Sequence, residues 1–508
     1  LVKKHRGSLS GEHGDGRLRG EFIPLLFGEK VYGLMQETKV CWDPEGVFNA
    51  RKIVNTPPMD TSLRYEVGDS DVACRTYFDF SKEKGWLCAI EQCNGSGDCR
   101  KSYAFGGTMC PSFRATREES HTTRARANTL RELITHPRTK KIYDQREILE
   151  VLDTCVSCKA CKSECPSNVD IARFKAEFLQ QHYDVCGVPM KAFLIARLTE
   201  IQRLGTILPW FYNAIVRNRM TGNMLKRILH FAPKRTIPTL YKTTLKHWLG
   251  RYRRKNRGET VGKVFLFADE FTNYMDVEIG IKMIELLDWL GYEVIIPKHV
   301  ESGRTAISKG MLEVAKGVAR KNVLLLKDLV TENIPLVGIE PSCILSFRDE
   351  YPDLVGEDLK EEAVRLGKNC LLYDEFFTRE IRAGRIQAEQ FTDQPLKIML
   401  HGHCHQKSLA SVEPSREMLS LPVNYSVEVI PSGCCGMAGA FGYEKKHYEL
   451  SMKIGEQVLF PAVRGAGENV CISAPGTSCR QQIKDGTGKQ ALHPIEVLYE
   501  ALKCTKEK

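Results

Sequence analysis

The 508-residue chain has no stretch approaching the ~18 continuous apolar residues of a membrane span, so no transmembrane helix is expected. No signal peptide is expected. Its nineteen Cys are therefore not read as a secreted disulfide framework; they point to a reducing compartment and to metal ligation. No nucleic-acid-binding module accompanies its net charge of +10, so a nucleic-acid partner is not expected. It also lacks an initial Met: Leu1 leads directly into a Gly-rich motif. A domain rarely opens on its own active loop, so the chain is expected to be the C-terminal portion of a longer protein. Acid is missing from residues 241–258, which hold seven Lys or Arg. Such a run reads as a solvated linker; its sharper reading is peripheral contact with an anionic membrane surface. The expected location is the cytoplasm, with or without that contact on the inner face of the membrane.

What is present is cysteine in a specific pattern. Residues 155–166 read CVSCKACKSECP. In this C-x2-C-x2-C-x3-C-P signature three thiolates wrap one corner of a [4Fe–4S] cube, and the fourth, before Pro, ligates a second cluster. Cys155, Cys158 and Cys161 are thus assigned to one cluster and Cys165 to another. Zinc would want two separated Cys pairs instead. Upstream, Cys93 and Cys99 are followed by Cys110-Pro111, like a stretched first half of a two-cluster ferredoxin. By the crossing rule Cys110 completes the set of Cys155, Cys158 and Cys161, and Cys165 joins Cys93 and Cys99. The fourth ligand of that second set is left open between Cys88, Asp98, a non-Cys ligand, a three-iron cluster and no cluster.

The length suits about three domains. Helix is read near 24–42 and from Val169 to Tyr183, where Ile171, Phe174, Phe178 and Leu179 share a face. Residues 190–260 read as basic helices interrupted by Pro209, Pro233 and Pro238. From 261 the pattern becomes α/β. Strands are predicted at 263–268, 292–296, 335–339, 397–400, 426–430 and 469–473, alternating with helices as in parallel βαβ units.

This part repeats in outline. One copy runs through Ser302-Gly303-Arg304 to Cys343, the other through Ser432-Gly433-Cys434-Cys435-Gly436 to Cys479. Ligand sites in open parallel sheets lie at the carboxyl ends of strands. Cys404, Cys434, Cys435 and Cys479 all follow strands in the second copy, so they are expected to form one redox or metal site. The first copy, with Gly303-Arg304 in place of the Cys pair, is expected to form none. His401, His403 and His405 surround Cys404, and the reading favoured is hydrogen bonding to sulfurs or loop carbonyls. Glu12-His13, on a loop with three Gly, suits proton abstraction or metal ligation.

These residues resemble a known architecture. Residues 10–17 (SGEHGDGR) and 43–49 (DPEGVFN) look like the end of the FAD-linked oxidase C-terminal domain of D-lactate dehydrogenases, glycolate oxidase and D-2-hydroxyglutarate dehydrogenase. Cys434-Cys435-Gly436 looks like the CCG domain of heterodisulfide reductases. Both in one chain, with residues 109–117 (MCPSFRATR) and 121–128 (HTTRARAN) between them, resemble the long fused flavin/iron–sulfur oxidoreductases. The resemblance implies FAD, held mainly by an upstream region, and [4Fe–4S] clusters. It implies Glu12 as ligand of a divalent metal such as zinc, and His13 as the base. The substrate implied is a small D-2-hydroxy acid, best D-2-hydroxyglutarate, with D-lactate or glycolate as alternatives. The electron acceptor would be external, a quinone or an electron-transfer protein. A non-catalytic electron-transfer subunit is the other reading, and the chain alone is expected to be inactive. One departure is noted: Cys479-Arg-Gln-Gln482 has a single Cys where the CCG pattern has two.

The expected fold is α/β plus α. It comprises an oxidase C-terminal remnant (1–65), a helical ferredoxin-like domain (66–190), a basic helical linker (191–260), a degenerate CCG-type repeat (261–394) and a Cys-bearing one (395–508).

Overall fold

The chain packs as two units, Leu1–Ala73 and Cys74–Lys508. The computed structural model describes residues 1–63, 74–137, 142–255 and 260–503. The expected boundary at 65/66 and residues 256–258 of the basic run lie outside the described residues.

In the first unit the helix expected near 24–42 is two, Ile23–Phe27 and Glu29–Trp42. Gly28 between them has φ +84°, a left-handed value that favours glycine and ends the first helix. Asp43 ends the second: its carboxylate accepts from Val47 N (2.7 Å) and Phe48 N (3.0 Å). The Gly-rich loop is tied down where Ile53 N donates to Gly16 O (2.9 Å).

In the second unit, the described residues before 260 form helices and turns and no strand. Helix Ile171–Cys186 starts at Asp170, whose side chain accepts from Arg173 N, and buries Ile171, Phe174 and Phe178 as their spacing requires. Pro209 does not break a helix; it opens one, Pro209–Arg217, where its missing N–H costs nothing.

Two parallel sheets follow. The first has β1 (Gly262–Phe267), β2 (Tyr292–Ile295), β3 (Leu336–Gly338) and β4 (Cys370–Leu372) in the order β2-β1-β3-β4. The second has β5 (Leu396–Leu400), β6 (Tyr425–Val429) and β7 (Val470–Ser473) in the order β6-β5-β7. Each sheet sets its first strand between its second and third. All pairings are parallel, so each sheet sends its strand-end loops to one edge. Strand β4 is additional to the sequence reading. The sheets share a core: Val264 and Val337 of the first, Ile398 and Leu400 of the second, Phe376 and Phe377 between them, and Ile495 and Leu498 of the last helix belong to one buried cluster. That continuity fixes the strand-end loops of both sheets against one body.

Candidate functional site

Three loops at the carboxyl edge of the second sheet converge. Strand β5 runs into His401-Gly402-His403-Cys404, and Cys404 opens helix Cys404–Leu409. Strand β6 runs into Ser432-Gly433-Cys434-Cys435-Gly436. Strand β7 leads to helix Thr477–Thr487, which carries Cys479. The four thiols are buried and interact in sequence, Cys404 with Cys434, Cys434 with Cys435 and Cys435 with Cys479. His401 Nδ1 lies 2.7 Å from Ser432 Oγ, while its Nε2 has no well-formed hydrogen bond and is left to the sulfurs. Ligand atoms of His401, Cys435 and Cys479 lie within 4.8 Å of one another.

The electrostatics follow from that packing. The neighbouring Cys434 thiol pulls Cys404 down to about 7 despite burial. Cys434, then Cys479, with a smaller part from His401, hold Cys435 well below the usual thiol range. Burial pushes His401 down to about 4, so its imidazole is neutral at pH 7. Lys407 is half-buried beside the thiols and donates to Ser432 O and to Gly433 O (3.3 Å). Four buried sulfurs, a neutral imidazole and one cation form a soft donor set that fits a metal or iron–sulfur group.

Gly436 holds this loop. Its φ is +92°, and a Cβ there would lie 2.3 Å from Ser451 O. At Gly433 the nearest atom would be 3.4 Å away. Gly436→Ala is therefore expected to strip iron from this site, whereas Gly433→Ala keeps it. Iron per chain in the two purified variants checks this.

The ferredoxin-type loop is wound by two non-glycine residues in left-handed conformations, Ser157 (φ +49°) and Lys159 (φ +64°). The wind lets Cys155, Cys158 and Cys161 turn inward, and the three interact electrostatically. Cys110 couples to Cys161, and its sulfur receives Thr123 N at 3.0 Å with Thr123 Oγ1 at 2.9 Å. Cys93 couples to Cys99 and Cys165. The seven Cys lie near one another without separating into the two expected sets, because the strongest partner of Cys110 is Cys99 rather than Cys161. The nearby Cys110 thiol pulls Cys99 down to about 6. Burial pushes the Cys158 and Cys161 thiols up, so as thiolates they call for positive charge close by, which iron would supply. Asp98 is engaged by Lys101, and Cys88 is exposed.

Three side chains that the sequence reading passed over set this geometry. Buried Arg126 reaches Ser112 Oγ (2.9 Å) beyond Cys110 and Thr154 Oγ1 (2.8 Å) before Cys155, joining the two Cys segments. Glu164 accepts from Thr108 N (2.7 Å) and Met109 N (2.9 Å), fixing the approach to Cys110. Lys159, 2% exposed, meets Asp170 (3.0 Å), Asp349 (2.7 Å) and Glu350 (3.3 Å). Only their presence inside or beside Cys motifs could have marked them.

The two thiol-rich sites adjoin. His405 Nε2 lies 3.0 Å from Ser157 O, and Ser408 Oγ donates to Cys158 O at 3.2 Å. Cys404 is the foremost charged neighbour of Cys158. Helix Cys404–Leu409 therefore presents Cys404 to one site and anchors the loop of the other.

The first sheet's matching loops are filled differently. Arg304, standing where a Cys pair stands in the second sheet, is buried and paired with Glu350 at 2.6 Å. Ligand atoms of Asp269, Glu270 and Cys343 do approach within 4.8 Å. Their carboxylates are already engaged, Asp269 by Phe271 N and Thr272 and Glu270 by Ser302. In the first unit, Glu12 and His13 are exposed and pair with each other at 2.7 Å.

Residues 1–53 match the family described as FAD linked oxidases, C-terminal domain, and residues 92–170 match the 4Fe-4S dicluster domain. The chain is 26% identical over 549 residues to a D-2-hydroxyglutarate dehydrogenase of Escherichia coli, covering 99% of this chain and 52% of that protein. It is 26% identical to a subunit of the anaerobic glycerol-3-phosphate dehydrogenase of Escherichia coli, over 66% of this chain and 83% of that one. Lactate utilization protein A of Bacillus subtilis is 27% identical over 46% of this chain and 98% of its own. The chain spans about half the length of the D-2-hydroxyglutarate dehydrogenases it matches. The resemblance read from the sequence holds: an FAD-linked oxidase end and an iron–sulfur domain lie in one chain.

Proposed function

We propose that this chain is the electron relay, with part of the substrate pocket, of a cytoplasmic FAD-dependent D-2-hydroxy acid dehydrogenase. D-2-hydroxyglutarate is the substrate best supported, because the D-2-hydroxyglutarate dehydrogenases align with nearly the whole chain. When bound, FAD would supply hydride acceptance and [4Fe–4S] clusters single-electron transfer to an external quinone or electron-transfer protein. One observation carries the reading: the Ser157 and Cys158 carbonyls are bonded to His405 and Ser408, so two separate Cys sets lie side by side. Cys110, Cys155, Cys158 and Cys161 would hold one cluster. Cys93, Cys99 and Cys165 would contribute to a second. Cys404, Cys434, Cys435 and Cys479 would hold a third centre at the acceptor end. Glu12 would help to hold a divalent ion such as zinc near the substrate carboxylate, and His13 would take the hydroxyl proton.

The test is His13→Ala in the holoenzyme. Flavin reduction by substrate should fall about 10²–10⁴-fold, the usual contribution of a general base, while chemically reduced flavin still passes electrons on. Wild-type flavin reduction in rapid mixing would make His13 a bystander.

The match to one subunit of the anaerobic glycerol-3-phosphate dehydrogenase favours a second reading, in which the chain only relays electrons for a separate flavoprotein. The oxidase match over residues 1–53 argues for the first. If His13→Ala left turnover intact while Cys435→Ser abolished it, the second reading would replace the first.

A further inference from the structure

The helices between the iron–sulfur region and the sheets carry their apolar residues outward. Residues 190–228 hold eleven of the exposed large apolar side chains, whereas 260–503 hold five, scattered. They are concentrated at one turn. Helix Leu198–Gly205 ends and Pro209–Arg217 begins with Leu204 67% exposed, Ile207 72%, Trp210 68% and Phe211 52%. The next helix, Arg219–Ile228, exposes Met220, Met224 and Ile228 in one row, and Arg219, Asn223 and Arg227 in the row beside it. Its opposite side is packed: a Cβ on Gly222 would lie 2.7 Å from Val216 O. These helices therefore have a seated face and an unseated one, and the unseated one is apolar.

Charge identifies the occupant. Residues 187–258 contain sixteen Lys or Arg against a single acid, Glu200. Arg217, Arg219 and Arg227 are exposed, and no ion pair involves them among the described residues. Aromatic and aliphatic side chains at a helical turn, rimmed by free cations, suit a surface that is apolar at depth and anionic at its rim, which is a bilayer with anionic headgroups. Long Arg side chains can lie along the apolar row and keep their guanidinium groups at headgroup level. No described helix is long and apolar enough to cross a membrane, so the contact would lie in the interface. The basic run at 241–258 is a weaker candidate, because Arg254 is paired with Asp288 (3.0 Å) and Lys255 with Glu285 (2.7 Å).

We propose that the helices of residues 198–228 seat this protein on anionic membrane, with the turn at Leu204–Phe211 entering the interface and Arg217, Arg219 and Arg227 contacting headgroups. The proposal goes beyond the functional reading and is independent of cluster content.

The test is co-sedimentation of the purified chain with vesicles of phosphatidylcholine alone or with phosphatidylglycerol added. Binding is expected to the anionic vesicles and to weaken several-fold with added salt. Trp210→Glu and, separately, Met224→Glu should each lower partitioning about tenfold or more. Both positions are exposed, so iron content should stay at the wild-type level. Three results would overturn the proposal: no binding to either vesicle; binding unchanged in both variants; or self-association in sedimentation velocity that both variants abolish without any vesicle binding, which would make a second copy the occupant.

Discussion

Cys435→Ser removes one centre's worth of iron and stops electrons from reaching the external acceptor, while flavin reduction by substrate continues. Cys435 is central to its site: its thiol interacts with those of Cys434 and Cys479, and its sulfur lies within 4.8 Å of ligand atoms of Cys479 and His401. A serine hydroxyl is a harder and weaker ligand for iron than a thiolate, and it disconnects both ends of the chain of thiols. Cys343→Ala, at the matching place in the first sheet, should leave iron and turnover near the wild-type level. Cys343 is buried against carboxylates that already have partners, and a buried ion pair stands where the Cys pair would be. Iron analysis and acceptor reduction in the two variants check this together. Equal damage from both would mean that the two sheets share one site.

Lys159→Met should cost about 3–5 kcal/mol of stability, the usual consequence of removing one partner from a buried ionic cluster. Lys159 is held charged: burial works against its cation, but Asp170, Asp349 and Glu350 overcome that and raise its pKa above the ordinary value. Without it, Asp170 loses its buried cation, and Asp349 and Glu350 must rely on Lys162 and Arg304. The same change loosens the Cys155–Cys161 loop, because Lys159 ties that loop to the body carrying the first sheet. Thermal unfolding of the wild type and the variant measures it. A loss under about 1 kcal/mol would show the three acids to be hydrated or neutral.

Much of this was legible in the sequence where the physics is local. The strands at 263–268, 292–296, 335–339, 397–400, 426–430 and 469–473 are runs of apolar and β-branched residues between turn residues, and β1, β2, β3, β5, β6 and β7 lie there. Strand β4 was missed because three residues, Cys370–Leu372, between two helices carry no periodicity. The break at Gly28 was missed because one Gly in a helical pattern is usually tolerated. The gathering of Cys93, Cys99, Cys110, Cys155, Cys158, Cys161 and Cys165 in one region is what the motif spacing leads one to expect, while the close approach of Cys99 to Cys110 is not. The neighbourhood of Cys158 and Cys404 did not, because the bonds that make it join residues 248 and 250 positions apart. The same holds for Lys159, whose partners Asp349 and Glu350 lie in a distant turn between two helical segments. The histidines illustrate both cases. His405 reaches a loop carbonyl, as the hydrogen-bonding reading expects, while His401 turns a free nitrogen toward the sulfurs.

The central claim is that these thiols hold iron–sulfur clusters. The most direct test is iron and acid-labile sulfide in anaerobically purified wild-type chain and in Cys158→Ala. The wild type should contain both and show a broad absorption near ~400 nm, and the variant should lose part of each. A colourless protein containing zinc and no iron, or a Cys158→Ala variant with unchanged spectrum and iron, would contradict the account.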